Sequence, residues 1–341
     1  MSLNYDAHIH MGLPTKKITD DEICERLKGY ADAGITFLRD GGDNSGVSLR
    51  AKQLSGMCGV DYRTPAFAIH KNGHYGSFLG RGFDDMDGYK ALVDNAINDG
   101  ADFIKIIISG IMDFSQYGVL ADDDKKASVI TAADFTEKET EVHDCDCDSH
   151  EHEHAHGDNS DAYEREHERV EQNGYIATIY EKNGETGGLT AEEISEMISY
   201  VHEKGLAVMA HCNGATNIKA ALVAGADSIE HGYYMDDECV DLLSGSDTVW
   251  VPTITPVANL IGKGKYDDGV LKLIVANHVK NISRVWYLGG MIALGTDAGA
   301  ADVPHITASK SEYNFLKAAI GAKDFDAHLS MSAEQLKWKF S

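Results

Sequence analysis

No run of about 18 consecutive apolar residues occurs in the 341-residue chain, and Met1 to His10 contains no basic stretch leading into an apolar one. Neither a membrane span nor a secretion leader is therefore predicted, and the expected location is the cytoplasm. Basic residues are scarce, 30 Lys and Arg against 55 Asp and Glu, for a formal net charge of −25. Such a surface repels phosphate backbones and anionic lipid, so neither nucleic acid nor membrane is expected as a partner. Much of the charge is local: Glu141 to Glu171 holds twelve acids and two arginines. The six cysteines (Cys24, Cys58, Cys145, Cys147, Cys212 and Cys239) lack the dense spacing of a disulfide scaffold, and reduced thiols are expected.

Hydrophobic residues make up 43% of the chain, enough for one large core. Short β-rich apolar runs alternate with longer amphipathic ones, the pattern of βα units around a parallel sheet. Eight strands are predicted: Leu3 to Ile9, Ile35 to Arg39, Ala66 to His70, Phe103 to Ile108, Ala207 to His211, Asp227 to His231, Val249 to Pro252 and Met291 to Gly295. Helices are predicted over Asp20 to Ala33, Asp84 to Asn98, Ala191 to Glu203, Asn217 to Ala224, Asp236 to Leu243 and Val270 to Leu288. Gly34, Gly100, Gly205 and Gly225 follow four of them, where a left-handed terminator is wanted. Eight units fit a closed (β/α)8 barrel of the TIM type, and a single domain over residues 1–341 is expected.

The alternation breaks once. Between Ile108 and Thr190 the chain takes about 80 residues where a short loop usually suffices, so residues 119–188 are read as an insertion after the fourth strand. Its middle, residues 143–171, is rich in His, Asp and Glu, and its composition predicts disorder in the absence of a ligand. Cys145, Cys147, His150, His152, His154 and His156 offer it soft and borderline metal ligands, though at no spacing of a closed zinc site. Three readings stay open: a tethered metal reservoir, a lid over the barrel mouth, or an inert solvated loop. Tyr175 to Tyr180, followed by Asn183 and Gly184, reads as a strand and turn of a small ordered flap.

Chemistry-bearing residues fall at predicted strand ends, where barrel enzymes assemble their sites. His8 and His10 are two apart on the first strand, so both side chains project to one side and can grip one ion. By itself a His-x-His pair more often has a structural role. Lys105 lies inside the apolar Phe-Ile-Lys-Ile-Ile-Ile, where an unpaired ammonium costs several kcal/mol. His211 in Ala-His-Cys-Asn-Gly, His231 in Ser-Ile-Glu-His-Gly and Asp297 in Gly-Thr-Asp-Ala-Gly end strands five, six and eight.

The order His-x-His, Lys, His, His, Asp on such a barrel resembles the amidohydrolase superfamily, with surrounding words similar to its imidazolonepropionase-related and Xaa-Pro dipeptidase-like branch. The resemblance covers most of Asn4 to His305 outside the insertion. It implies that His8, His10 and Asp297 bind one divalent metal and His211 and His231 a second. Lys105, as the carbamate formed with carbon dioxide, would bridge the two. It further implies hydrolysis of an amide, peptide-like or cyclic, by a metal-bridged hydroxide with Asp297 as general base. Zinc suits these ligands best, with manganese, iron and nickel also compatible. Relatives commonly carry a β-sandwich built from both chain ends; here a barrel-only form is expected, with a brief C-terminal end of Ser309 to Ile320 and a helix starting at Ser332, and truncation stays open.

For substrate contact the loops offer Arg39 and Asp40 after strand two, His70, His74 and Tyr75 after strand three, and Tyr117 after strand four. Tyr233 and Tyr234 follow His231, and Asp302 and His305 follow the last strand. Of these, His70 and Tyr117 are preferred for polarising the carbonyl or holding a substrate carboxylate, with Tyr233 and His305 as further candidates. The expected partner is a small-molecule substrate, and a homo-oligomer is left open. Two rival functions remain: a metal-binding or metal-delivery protein that uses the His-rich insertion on an inactive barrel, and a mononuclear deaminase or lactonase-like enzyme.

Overall fold

The computed structural model describes residues 4–13, 18–109, 117–121, 177–181, 188–300, 302–321 and 324–340, with 117–121 and 177–181 described through their backbone. Strand β1 (Tyr5–Ile9) pairs in parallel with β2 (Phe37–Asp40), and β2 with β3 (Asp61–Arg63). The third strand is then interrupted at Thr64 to Phe67, where Pro65 has no N–H to donate and Ala66 sits at φ 66°. It resumes as β4 (Ala68–Lys71), which pairs with β6 (Ile104–Ile107). Parallel pairing continues through β9 (Val208–Cys212), β10 (Ser228–His231), β11 (Val249–Val251) and β12 (Met291–Ile292).

Backbone hydrogen bonds carry the circuit back to its start. Ala7 N donates to Leu294 O (2.9 Å), Asp297 N to His8 O (2.7 Å) and His10 N to Ala298 O (2.7 Å). With β3 and β4 sharing one position, the eight parallel strands form the predicted barrel.

Helix boundaries follow from side-chain chemistry. Thr19 and Thr190 close capping boxes with Glu22 and Glu193, starting α1 (Asp20–Asp32) and α4 (Ala191–Glu203). Asp85, Asp236 and Asp267 cap α3 (Met86–Asp99), α6 (Asp237–Ser244) and α8 (Asp268–Tyr287). Gly34, Gly100, Gly205 and Gly225 all have φ between 76° and 95°, as terminators require. Helix α5 (Ala215–Val223) packs between α4 and α6.

Among the described residues outside the insertion, α2 (Val47–Ser55), β3, β5 (Gly80–Phe83) and the short α7 (Ile254–Ala258) were not anticipated. The fifth strand reads Gly-Arg-Gly-Phe, which in sequence resembles a turn, yet it pairs in parallel with β4. Its close approach explains the glycine: a Cβ on Gly80 would lie 1.7 Å from Ala68 O. In the insertion, β7 (Tyr117–Ala121) and β8 (Ala177–Glu181) pair antiparallel, which gives the expected short strand a partner beginning two residues before residue 119.

At the C-terminal end, α9 (Ala308–Ile320) is followed by α10 (Phe325–Lys339), a helix that begins seven residues earlier than Ser332. The Phe340 ring, just beyond, meets Phe103 edge-on at 5.1 Å and lies 4.4 Å from the Arg39 guanidinium. Phe340, Phe103 and Arg39 are all fully buried. No described helix is long and apolar enough to cross a membrane.

Candidate metal centre

Strand β1 alternates so that His8 and His10 rise on the same side, and the closing bonds to Asp297 and Ala298 bring the last strand's carboxylate to them. His8 Nε2, His10 Nε2 and Asp297 Oδ1 converge: the nitrogens are 3.3 Å apart, and the oxygen is 3.6 Å from the first and 3.2 Å from the second. Among the described residues, these three form the group whose ligand atoms all lie within 4.8 Å of one another.

The other ring nitrogens are committed elsewhere, which fixes the tautomers. His8 Nδ1 donates to Glu230 Oε2 at 2.7 Å, and His10 Nδ1 faces Gly42 O at 3.4 Å. Both Nε2 atoms therefore present lone pairs to the same point, an arrangement that favours a cation between them. Glu230 is itself held by Arg39 Nη2 and by Ser228 Oγ, each at 2.5 Å, and Arg39 Nε donates to Ala7 O.

His211 and His231 face this cluster from β9 and β10. Their rings are 4.6 Å apart, and His231 is 5.0 Å from His8. Thr253 Oγ1 engages His231 Nδ1 at 2.7 Å, while His211 Nε2 is buried with no hydrogen-bond partner. Lys105 Nζ, on β6, is 3.5 Å from His8 Nε2. The six strand-end residues predicted from sequence are thus assembled at one place.

Burial dominates their electrostatics. It holds the imidazoles of His8 and His231 well below the ordinary histidine range and pushes His211 down to about 3, with nearby positive charge adding to the effect. All three are neutral at pH 7, the form that ligates metal. Burial lowers Lys105 to about 8 against the opposing pull of Glu230 and Asp297. Its neutral amine is accessible near physiological pH, and that is the form that reacts with carbon dioxide. His231, Thr253 and Asp297 have φ of 68°, 50° and 59°, a left-handed backbone that is costly for residues carrying a Cβ.

A cavity of about 450 Å³ opens beside the cluster, with His10, His211, His231 and Asp297 in its wall. Tyr75, Phe78, Leu79 and Leu13 line one part of it; Asn213, Tyr233 and Pro256 are also in the lining. Tyr75 and Tyr233 are the expected substrate residues that, among the described residues, reach the cavity; the Tyr233 hydroxyl donates to Thr253 O. His70 is not in the lining: its Nδ1 faces Lys71 O at 3.0 Å. His305 likewise lies off the cavity, its Nδ1 bonded to Tyr30 OH at 2.9 Å and its Nε2 buried without a partner.

Arg39 and Asp40 are also removed from substrate contact. The former braces Glu230, and the latter accepts from Met11 N, Gly42 N and Tyr62 OH. The Tyr117 side chain and Cys145, Cys147, His150, His152, His154 and His156 lie outside the described residues.

Sequence reasoning passed over Glu230, although its place beside His231 in a buried strand is a signal of the same kind as Lys105. It also missed Phe78, Leu79, Leu13, Asn213 and Pro256, ordinary loop residues that only the fold brings together.

Among solved structures, a Xaa-Pro dipeptidase with bound methionine superposes with a TM-score of 0.64 at 22% identity, covering 98% of this chain and 75% of that one. The Aspergillus niger ochratoxinase structure gives 0.63 at 16% identity, covering 98% and 71%. These likenesses show the fold. In sequence, ochratoxinase from Aspergillus niger is 30% identical over 111 residues, and the match spans 31% of this chain but only 23% of that protein. The model of the amidohydrolase family matches residues 91–336. The chain belongs to the amidohydrolase family.

Proposed function

We propose that the protein is a metal-dependent hydrolase that cleaves an amide carbon–nitrogen bond in a small molecule. The observation that carries this reading is the convergence of two lone-pair-bearing histidine nitrogens and one carboxylate oxygen on a single point at the cavity wall. The donors fit divalent metal. His8, His10 and Asp297 would hold one ion, and the unpartnered His211 Nε2, with His231, a second. Lys105, as its carbamate, would serve both. Imidazole and carboxylate oxygen suit zinc. Bound divalent ions supply a lowered water pKa and polarisation of the carbonyl.

The protein groups have separable tasks. Asp297 accepts the proton of the attacking water and returns it to the departing nitrogen. Glu230 keeps His8 oriented through Nδ1, and Arg39 holds Glu230 in place. The mostly apolar cavity wall would displace water once substrate fills it, which strengthens the electrostatics at the reacting carbonyl. The amide-cleaving relatives named above are consistent with this chemistry.

The test is elemental analysis together with one variant. The purified, metal-reconstituted chain should contain about two divalent ions, as a two-ion site of this kind requires. Asp297→Asn should eliminate amide hydrolysis while circular dichroism and melting remain those of a folded protein. Full turnover in that variant overturns the proposal.

A further inference from the structure

Resting on that reading of the cavity, we infer that the loop of residues 72–79 is a recognition element for a flat aromatic group attached beside the scissile amide, with Phe78 as its gripping surface. The loop is firmly built. Asn72 N donates to Phe83 O (2.8 Å), Leu79 N to Gly76 O (2.9 Å) and Asn44 Nδ2 to Ser77 O (3.0 Å). Gly76 has φ 124°, and a Cβ there would lie 2.8 Å from His70 Cβ and 3.1 Å from Ile107 Cγ1, so the loop lies directly on the strand ends. This also accounts for His70, which supports the loop from beneath.

The rigid loop presents two rings. Tyr75 lies 5.2 Å from His211 at an interplanar angle of 32°, and Phe78 meets Tyr75 edge-on at 5.2 Å and 68°. Tyr75 is thereby anchored to the proposed metal cluster and Phe78 to Tyr75. Phe78 lines the cavity and is nevertheless 40% exposed.

A large ring held at a fixed angle and left open to solvent at a cavity gains most when another ring covers it, because ring-on-ring contact adds to plain apolar burial. Leu13 and Leu79 extend the apolar surface, and a cavity of about 450 Å³ accommodates a drug-sized ligand.

The experiment compares two neutral amides, N-phenylacetylglycinamide and N-acetylglycinamide, with the full-length metal-loaded chain. The phenylacetyl compound should have a kcat/KM at least about tenfold higher, and Phe78→Ala should reduce that ratio about tenfold, the scale of one lost ring contact. Phe78→Leu should fall between. Equal kcat/KM for the two compounds, or a ratio unchanged in Phe78→Ala, overturns the inference. If neither amide is hydrolysed, the hydrolytic reading fails for this class and calorimetric titration of the same compounds decides. Preferential binding of the phenylacetyl compound, weakened about tenfold in Phe78→Ala, sustains the recognition element, whereas absent or equal binding overturns it.

Discussion

Glu230 Oε2 lies 2.7 Å from His8 Nδ1 while its other oxygen takes the Arg39 guanidinium and the Ser228 hydroxyl, so one buried carboxylate orients the first histidine of the candidate metal centre from behind. Glu230→Gln keeps the shape but removes the charge that Arg39 faces. Breaking a buried pair in this way costs roughly 3–5 kcal/mol, and loss of a supporting carboxylate behind a ligand histidine costs about 10–100-fold in metal affinity. Denaturant unfolding of the metal-free variant and competition with a chelator measure the two effects separately. An unchanged chelator midpoint would show that Glu230 does not tune His8.

Lys105 gives a prediction of opposite sign in the two states. Lys105→Met removes a fully buried amine whose pKa burial has lowered to about 8. The metal-free protein should become more stable at pH 7, by roughly 1–4 kcal/mol, while the number of bound ions falls. A variant that retains the full metal complement would sink the bridging role.

The pH dependence of stability should carry a signature of Glu312. This residue is fully buried, and burial raises its carboxyl to about 7 despite hydrogen bonds from Ile254 N, Thr255 N and Thr255 Oγ1. A folded pKa above the unfolded value of 4.5 means that its stabilising contribution is fully present below about 4.5 and is lost as pH rises through about 7. The loss is on the order of 3 kcal/mol. Glu312→Gln should therefore flatten the decline between pH 5 and pH 8 relative to the parent, as read from urea midpoints at the two values. Parallel declines would show that other groups set the slope.

Gly80→Ala tests the unanticipated strand pairing. The new Cβ would sit 1.7 Å from the Ala68 carbonyl oxygen, which is backbone and cannot rotate away. Separating β5 from β4 should cost about 1–3 kcal/mol or more. A variant with the parent's melting temperature would mean that the two strands are not in contact.

The barrel and the residues that cluster at its strand ends are legible in the sequence for one physical reason: buried parallel strands read as apolar runs, so a His, Lys or Asp at a strand end stands out against its neighbours. His8, Lys105 and Asp297 stand out in this way. Element boundaries were less legible where strands are short or rich in glycine, as in Gly80–Phe83, or where a proline divides one strand into two, as at Pro65. The substrate wall was the least legible part. Position at or after a strand end does not fix where a side chain points, so His70 on β4 lies beneath the 72–79 loop while Phe78, unremarkable in sequence, reaches the cavity. The packing of the last helix's end was similarly hidden, because the contact of Arg39 with Phe340 joins residues about 300 positions apart.

The positive φ angles of His231, Thr253 and Asp297 set durability against chemistry. Each residue carries a Cβ in a conformation that glycine would adopt without penalty, so the barrel gives up stability at the rim where these residues stand. Glycine at Asp297 should yield a sturdier but inert protein than alanine at the same position. Selection for heat resistance alone would therefore tend to discard this rim before the core.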